Sequence, residues 1–425
     1  MANPTMSKDE CKKLINYIEK LKIGEPVNNP ILDYPRNKDD ANNWVYDFWK
    51  NKPVQNVTND STLISIIDEN IKNSYTKQVK MISPYEWVIF EDKDLDDIVE
   101  FINKYNCEKK DKFRTFYSTD FIKWMLGTNH NNYKMLGIKT NNIIGGIILA
   151  SIGTYQLFNK ELLMGDIKLF CIHPKLRKKG IAQLLIDEMS RLLINDNVIS
   201  GSFATNRYVP SPISCAENYH RPLNYEKLHG AGFVQLENGV DIDKAVSVLQ
   251  IKYKHKHKVK LMEPQHYKKV YELLCEYQDK YNYYQKYSFD EFVHHFGNSD
   301  IVSSYIITEN GNILDFVSYY KLPYFVAESE KNTKLPKYIN NACMNMYTSL
   351  NVTQLTIFKT AILCAYEETK NECIDVFTCY DIMENMDILF DNFSKFTRGK
   401  KSMYYNLFNI TCPQLSPQQI CKTII

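Results

Sequence analysis

No stretch of about 18 apolar residues occurs in this chain, so no membrane-spanning helix is predicted. The opening MANPTMSKDECKKLINYIEK lacks the apolar centre of a secretory signal. Charge of one sign is also missing. Lys and Arg number 52 against 50 Asp and Glu, a net charge of +2, and nothing in that balance marks a nucleic-acid binder. The 11 cysteines form no C-x-x-C pair, and the histidines form no cluster at metal spacing. Neither a disulfide framework nor a metal site is therefore expected, and the thiols read as reduced in a cytoplasmic protein.

What is present is a globular composition, 44% hydrophobic and 24% charged, over 425 residues. That length suits two or three domains with a large core. The 30 Tyr and 21 Phe read mostly as half-buried strand and core residues.

One stretch organises the rest, Gly165 to Leu193, read as strand, basic turn and helix. Ile167, Leu169, Phe170, Cys171 and Ile172 form a short apolar run ended by His173 and Pro174. Arg177, Lys178, Lys179 and Gly180 then open a helix. Its apolar side carries Ile181, Leu184, Leu185, Met189, Leu192 and Leu193, with Glu188 the one polar interruption. The first turn of a helix has N–H groups without intrahelical partners and a partial positive charge. Three cationic side chains and a glycine there suit a phosphate-bearing ligand, and Gly180 lets a pyrophosphate approach the backbone. A basic turn feeding a core-packed helix has the same pattern. The R-x-x-G-x-A from Arg177 to Ala182 resembles the acyl-CoA pyrophosphate loop of the acetyltransferase-like (GNAT) fold.

Residues 1–40 are polar and read as a flexible N-terminal segment, with a helix expected over Asp9 to Leu21. Tyr46, Phe48 and Trp49 then crowd a segment without clean period, which serves either core packing or a clamp on a flat or long apolar ligand. Tyr85–Phe90 is a predicted strand, Leu95–Asn106 a helix, and Thr119–Leu126 a helix capped by Ser118. Strands Lys134–Thr140 and Ile143–Ser151 join through Asn141-Asn142. Ile199–Ala204 is a further strand, Cys215 to Asn224 a polar, irregular stretch, and His220 in it is either structural or catalytic. The basic run Lys252–Lys260 reads as a linker or exposed strand. Beyond it, helices Pro264–Tyr281 and Phe289–Phe296, a hairpin over Ser303–Leu322, strand Ala342–Ser349, helix Leu355–Lys370 and strand Val376–Tyr380 repeat the order of residues 85–200.

Several stretches in order resemble the glycylpeptide N-tetradecanoyltransferase (N-myristoyltransferase) family. They are Tyr46 to Val54, Lys112 to Ser118 with Phe121 and Trp124, Asp166 to Gly180, Ala216 to Asn224, Asn310 to Pro323, Asp381 to Asn385, and Lys395 to Ile410. The resemblance implies an α/β (α+β) monomer of two fused GNAT-like halves related by a pseudo-twofold, mixed sheets covered by helices. Residues 41–235 would hold tetradecanoyl-CoA, and 236–425 would shape the peptide groove and supply a catalytic C-terminus. The implied reaction moves the tetradecanoyl (myristoyl) group from myristoyl-CoA to the α-amine of an N-terminal glycine, acyl-CoA binding first. The implied oxyanion donors are the amides of Leu169 and Phe170, and the implied base is the terminal carboxylate at Ile425. Acyl-CoA would meet Tyr46, Asp47, Phe48 and Trp49, the strand end Leu169, Phe170, Cys171 and Ile172, and the turn Arg177, Lys178, Lys179, Gly180, Ile181, Ala182 and Gln183. The peptide would meet Tyr105, Phe113, Thr115, Tyr117, Ala204, Asn218, His220, Gly399 and Lys400.

The sequence departs from the family pattern at four places. Lys168 stands for Asn and Ala204 for Thr. Cys107-Glu108-Lys109-Lys110 replaces an acidic loop, and Gly399-Lys400-Lys401 replaces G-D-G. The last two reverse local charge and predict a peptide site that does not favour basic residues. An acyltransferase using another acyl chain or a lysine acceptor, and an acyl-CoA binder without turnover, are the alternative readings.

Overall fold

The computed structural model describes residues 22–23, 35, 37–55, 63–107, 110–236, 241–368, 374–389 and 395–423, with backbone only at Lys22, Ile23, Lys400 and Lys401. The expected helix Asp9–Leu21 and the expected base Ile425 lie outside the described residues.

The first repeat begins with β1 (Glu86–Ile89) and α1 (Leu95–Tyr105), whose Leu95, Ile98, Phe101 and Ile102 are buried at helical spacing. After β2 (Phe113–Thr115) comes α2 (Thr119–Leu126). The Ser118 hydroxyl accepts from the Phe121 N–H at 3.1 Å, as its N-cap position predicts. β3 (Tyr133–Thr140) and β4 (Ile143–Leu157) form a hairpin. Asn141 and Asn142 both take positive φ, 49° and 63°, the two-residue turn that matches strand twist. β5 (Lys160–Ile172), α3 (Ile181–Asn195), β6 (Ser200–Thr205) and β7 (Ser214–Pro222) complete the repeat.

A connecting α4 (Ile242–Leu249) leads to the second repeat. It contains β8 (Lys258–Leu261), α5 (Tyr267–Gln278), β9 (Tyr283–Lys286), α6 (Phe289–Phe296), β10 (Val302–Glu309) and β11 (Asn312–Lys321). An inserted β12 (Tyr324–Val326) precedes β13 (Asn341–Tyr347), α7 (Gln354–Glu367), β14 (Val376–Tyr380) and β15 (Thr397–Phe408). A short β16 (Ile420–Cys421) follows. Apart from β12, the two repeats match element for element. The basic run before Lys260 ends in β8, a strand on the outer edge of the sheet.

One 14-stranded sheet runs β8-β10-β11-β13-β14-β7-β15-β6-β5-β4-β9-β16, with β3 on β4 and β1 on β3. Each repeat gives up its last strand. β7 lies between β14 and β15, and β15 lies between β7 and β6. This corrects the expectation for Cys215 to Asn224. The segment is a central strand, buried although polar, because its side chains find partners. Arg221 donates to the carbonyls of Pro222 at 2.6 Å and Leu249 at 2.5 Å, and Asn218 and His220 join a hydrogen-bond chain.

Helices cover both faces of the first repeat's strands. On one, α1 and α2 pack Ile98, Phe121 and Met125 against Leu149, Leu169 and Cys171. On the other, α3 packs Ile181, Leu185 and Met189 against Ile148, Ala150 and Ile172. Glu188 is buried within α3 for a reason. It pairs with Arg191 at 2.6 Å and accepts the Val79 N–H at 2.9 Å, tying down the approach to β1.

Candidate active site

The site is organised by two irregularities of β5. Along β4 its register slips by one residue, so that Leu169 faces Leu149 but Ile167 faces Ala150, and Lys168 is the extra residue. Such a bulge turns two successive side chains to one face. Leu169 joins the α2 cluster, and Lys168 reaches a cavity beside Met125, Leu126, His294 and His295 on the same face. β5 also pairs in parallel with β6 only from Met164 to Ile167, opposite Ser200 to Phe203. Past Ile167 the strands part. The edge of β5 from Lys168 to Ile172 is therefore not paired with β6, and Leu169 and Phe170, the expected oxyanion donors, stand at its start. Burial raises the Cys171 thiol to about 12, which removes it as a nucleophile.

At the far end of this edge the basic turn begins. The Arg177 Nε donates to the Ile172 carbonyl at 3.1 Å and its Nη2 to that of Tyr105 at 2.6 Å, so the guanidinium closes the C-terminus of α1. Lys178 and Gly180 take positive φ, 61° and 79°, and α3 starts at Ile181. The Gln183 and Leu184 N–H groups return to the Gly180 carbonyl at 3.1 and 3.3 Å. By helix geometry, those of Ile181 and Ala182 point out of the helix start. The exposed Arg177, Lys178 and Lys179 surround it. An anion at this place meets backbone donors, the positive end of α3 and three cations.

The aromatic segment lies against β6 where its pairing with β5 ends. Trp49 stacks on Phe203 of β6 at 5.4 Å and 5° between planes, and Phe48 meets Trp49 edge-on at 4.7 Å. The Tyr46 hydroxyl donates to the Tyr208 carbonyl at 2.7 Å, Lys52 is ion-paired with Asp187 of α3, and Asp47 is exposed. Core packing and ligand cover are thus both served. Trp49 packs on the sheet exactly where β6 leaves β5.

A second group of side chains lies between the repeats. β2 pairs with β12, setting Thr115 opposite Tyr324. Phe113 meets Phe233 at 5.0 Å, and Phe233 meets His220 at 5.9 Å and Tyr324 at 5.9 Å. Thr378 donates to the Asn341 side chain at 2.6 Å and so accepts from the His220 Nδ1 at 2.9 Å. This leaves the His220 Nε2 to accept from the Asn218 amide at 3.1 Å. His220 is therefore held at both ring nitrogens and fixed in orientation. The Asn218 Oδ1 is buried without a hydrogen-bond partner among the described residues. Gly399 lies over it. Here β15 loops out between Arg398 and Ser402, and a Cβ on Gly399 would come within 2.3 Å of the Asn218 Oδ1. Arg398 is ion-paired with Glu217, and Asp381 accepts the Glu217 N–H at 2.8 Å. Burial, with Glu217 beside it, raises the Asp381 carboxyl to about 6.

Tyr117 is anchored by the Asn103 side chain at 2.9 Å, and burial raises its hydroxyl to about 12. Ala204 faces Tyr405 across β6 and β15. Among the expected peptide residues, Tyr105 stands apart. Its ring meets His173 at 4.5 Å and its carbonyl holds Arg177, at the basic turn.

Sequence reasoning missed the centre of the molecule. β16 pairs in parallel with β9, the Lys422 carbonyl accepts from the Tyr405 hydroxyl at 2.7 Å, and Thr423 donates to the Asn345 carbonyl at 2.5 Å. The chain thereby carries the Lys422 ammonium to Asp166 at 3.0 Å, where Lys168 also binds at 2.8 Å. The Ser202 hydroxyl donates to the same carboxylate at 2.5 Å. Burial alone would raise Asp166, yet the two lysines hold it well below the usual carboxylate range. The one signal for this was a lysine inside the apolar ending Cys421 to Ile425.

Sequence comparison finds two matching family models: "Myristoyl-CoA:protein N-myristoyltransferase, N-terminal domain" over residues 66–216 and its C-terminal domain over 230–423. The chain is 29% identical over 409 residues to the glycylpeptide N-tetradecanoyltransferase of Plasmodium falciparum, covering 93% of this chain and 97% of that one. To the Candida albicans enzyme of the same name it is 29% identical over 389 residues, covering 86% and 84%. Among solved structures, Saccharomyces cerevisiae N-myristoyltransferase with bound myristoyl-CoA shares the fold at a TM-score of 0.79 and 23% identity, covering 96% of this chain and 95% of that one.

Proposed function

Since this chain belongs to the myristoyl-CoA:protein N-myristoyltransferase family, we propose that it transfers a tetradecanoyl group from tetradecanoyl-CoA to the α-amine of an N-terminal glycine. The observation that carries the reading is the parting of β5 from β6 after Ile167, with the bulge at Lys168 at one end and the glycine-opened start of α3 at the other. A thioester lying along that edge would have its diphosphate at Arg177 to Gln183, its nucleotide side under Tyr46 to Trp49, and its carbonyl at the amides of Leu169 and Phe170. Negative charge builds on that oxygen when the amine attacks, and fixed donors stabilise it without reorganising.

The glycine arrives as an ammonium and gives one proton to a base, for which the carboxylate at Ile425 is our assignment. The tail supports this reading, since β16, Lys422 and Thr423 lead the chain into the core beside Asp166. The neutral amine attacks, the C–N bond forms and the C–S bond breaks. Coenzyme A leaves as the thiolate and takes the second amine proton. The orphaned Asn218 Oδ1 offers an acceptor to the peptide, and the reversed charge of the sequence Gly399-Lys400-Lys401 supports a preference for neutral or acidic residues after the glycine. We assign residues 41–235 to acyl-CoA and 236–425 to the peptide, in a monomer acting in the cytoplasm. Nine free cysteines among the described residues, and the absence there of a helix long and apolar enough to cross a membrane, support that setting.

Single-turnover transfer from tetradecanoyl-CoA to a glycine-starting peptide tests the reading, beside the same peptide acetylated at its N-terminus and an enzyme truncated before Ile424. Transfer to the free glycine alone, lost on truncation, is the expected result. Tight acyl-CoA binding without transfer would replace it with the binder that does not turn over. A rate advantage for Lys-containing over Glu-containing peptides would remove the preference assigned to the looped segment.

A further inference from the structure

The run Lys252 to Lys260, which the transfer reading leaves unused, alternates strictly between exposed and half-buried residues. Ile251, Tyr253 and Val259 turn inward and pack against the core of the second repeat. His255 and His257 turn inward too, where they face Glu367 of α7 at 3.7 Å and Glu309 of β10 at 3.5 Å. Lys252, Lys254, Lys256, Lys258 and Lys260 therefore all point outward, in a row about 26 Å long at the rise of an extended chain. None of the five is ion-paired among the described residues, and the carboxylates that do approach the run, Glu309 and Glu367, meet its histidines. Lys359 of α7 adds a further cation, over the Tyr253 ring at 5.6 Å. Without the five lysines the chain holds 47 Lys and Arg against 50 Asp and Glu, so this one row carries more than the whole net charge.

Lysines commonly guard an edge strand against pairing with other chains, and β8 is the outer strand of the sheet. That accounts for Lys258 and Lys260. It does not account for Lys252, Lys254 and Lys256, which precede the strand. A straight row of unpaired ammoniums suits an extended anionic surface, and two features favour lipid over nucleic acid. The run has no Arg to fork onto phosphates or bases, and its one aromatic ring, Tyr253, is turned inward where no base can stack. It ends instead in Leu261, 49% exposed, an apolar side chain that a bilayer interface rewards. We propose that the row from Lys252 to Lys260 is a docking surface for an anionic phospholipid bilayer, which lays the outer edge of the second repeat on the membrane. The row is remote from the chemistry, with seven strands between β8 and β5. The docking stands by itself, and its use rests on the transfer reading above. A single tetradecanoyl chain holds a protein to a bilayer only weakly, and an enzyme already docked releases its product beside the surface that retains it.

The test is co-sedimentation of the full chain with vesicles of phosphatidylcholine alone and of phosphatidylcholine with about 30% phosphatidylserine. The wild type is expected to bind only the acidic vesicles, and to lose most of that binding between about 0.05 and 0.3 M NaCl. Each lysine at an anionic leaflet contributes roughly fivefold in affinity, so the combined Lys254→Gln, Lys256→Gln, Lys258→Gln and Lys260→Gln variant binds on the order of a hundredfold more weakly. Arg at the same four positions keeps the binding. A cooperative melt reports folding. Should the Gln variant lose it through an unguarded edge, Lys254→Glu with Lys256→Glu, both outside β8, decides. Equal binding to both kinds of vesicle, binding to neither, or acidic-vesicle binding unchanged by these substitutions overturns the inference. So does retention of single-stranded polyuridylate without binding to vesicles, which would assign the row to nucleic acid. Tetradecanoyl transfer in solution, measured without vesicles, stays at the wild-type rate in the variants. Its absence from the wild type would remove the transfer reading and leave the docking result standing.

Discussion

Gly399 shows how much one residue decides in the groove proposed for the peptide. The bare backbone lets β15 loop directly over the Asn218 amide, and any Cβ collides with three of its side-chain atoms between 2.3 and 2.9 Å. Gly399→Ala is expected to displace Asn218, raise the peptide KM about tenfold and leave tetradecanoyl-CoA affinity unchanged, which steady-state kinetics and calorimetry would separate. Asp381, on the same floor, makes a different prediction. Its carboxyl titrates at about 6 in the folded protein, raised by burial and Glu217 from an ordinary 3.8. Between those values the folded state binds the extra proton, so this contribution stabilises at low pH and is lost as pH rises through 6. Thermal melts should show Asp381→Asn gaining on the wild type from pH 5 to pH 7. A constant gap would show that the carboxyl is not perturbed.

At the scale of elements, the second repeat has a counterpart of the basic turn whose donors are used differently. The segment between β13 and α7 corresponds to the basic turn before α3, and its donors are already taken. Asp315, fully buried in β11, accepts the N–H groups of Leu350, Asn351 and Val352 at 2.9, 2.8 and 2.8 Å and the Thr348 hydroxyl at 2.7 Å. The chain has placed its own carboxylate where the first repeat leaves room for a ligand. Asp315→Ala strands four donors and should cost on the order of 3 kcal/mol in denaturant unfolding, with acyl-CoA stoichiometry still one per chain.

Elements with periodic apolar faces or defined turns were legible in the sequence. α1, α2, α3 and α6, and the hairpins at Asn141-Asn142 and Asn310-Gly311, came from spacing and turn residues alone. β7 was not legible, because a strand buried between two others through Asn218, His220 and Arg221 lacks the alternation that announces a strand. The short β2, β9 and β12 depend on partners remote in sequence. The basic turn that opens α3 could be read from Arg177 to Ala182. The Asp166 cluster could not, since its members come from positions 166, 168 and 422 and meet only through the sheet.

For the whole molecule, the exchanged strands make the two repeats one cooperative body. β7 has no neighbour from its own repeat, and β15 pairs with β6 and β7 of the other. A fragment ending after Pro222 should therefore show no cooperative melt, whereas the full chain shows one transition; two separable transitions would contradict the continuous sheet. The same exchange has a consequence for how the protein is made. Ribosomes deliver β7 well before either of its neighbours, β14 and β15. At about 5–20 residues per second, that strand waits on the order of ten seconds with both edges open. Its buried histidine, arginine and asparagine, a liability for prediction, then become a safeguard. A polar strand is a poor seed for association with other nascent chains, and it can wait for its proper partners to emerge.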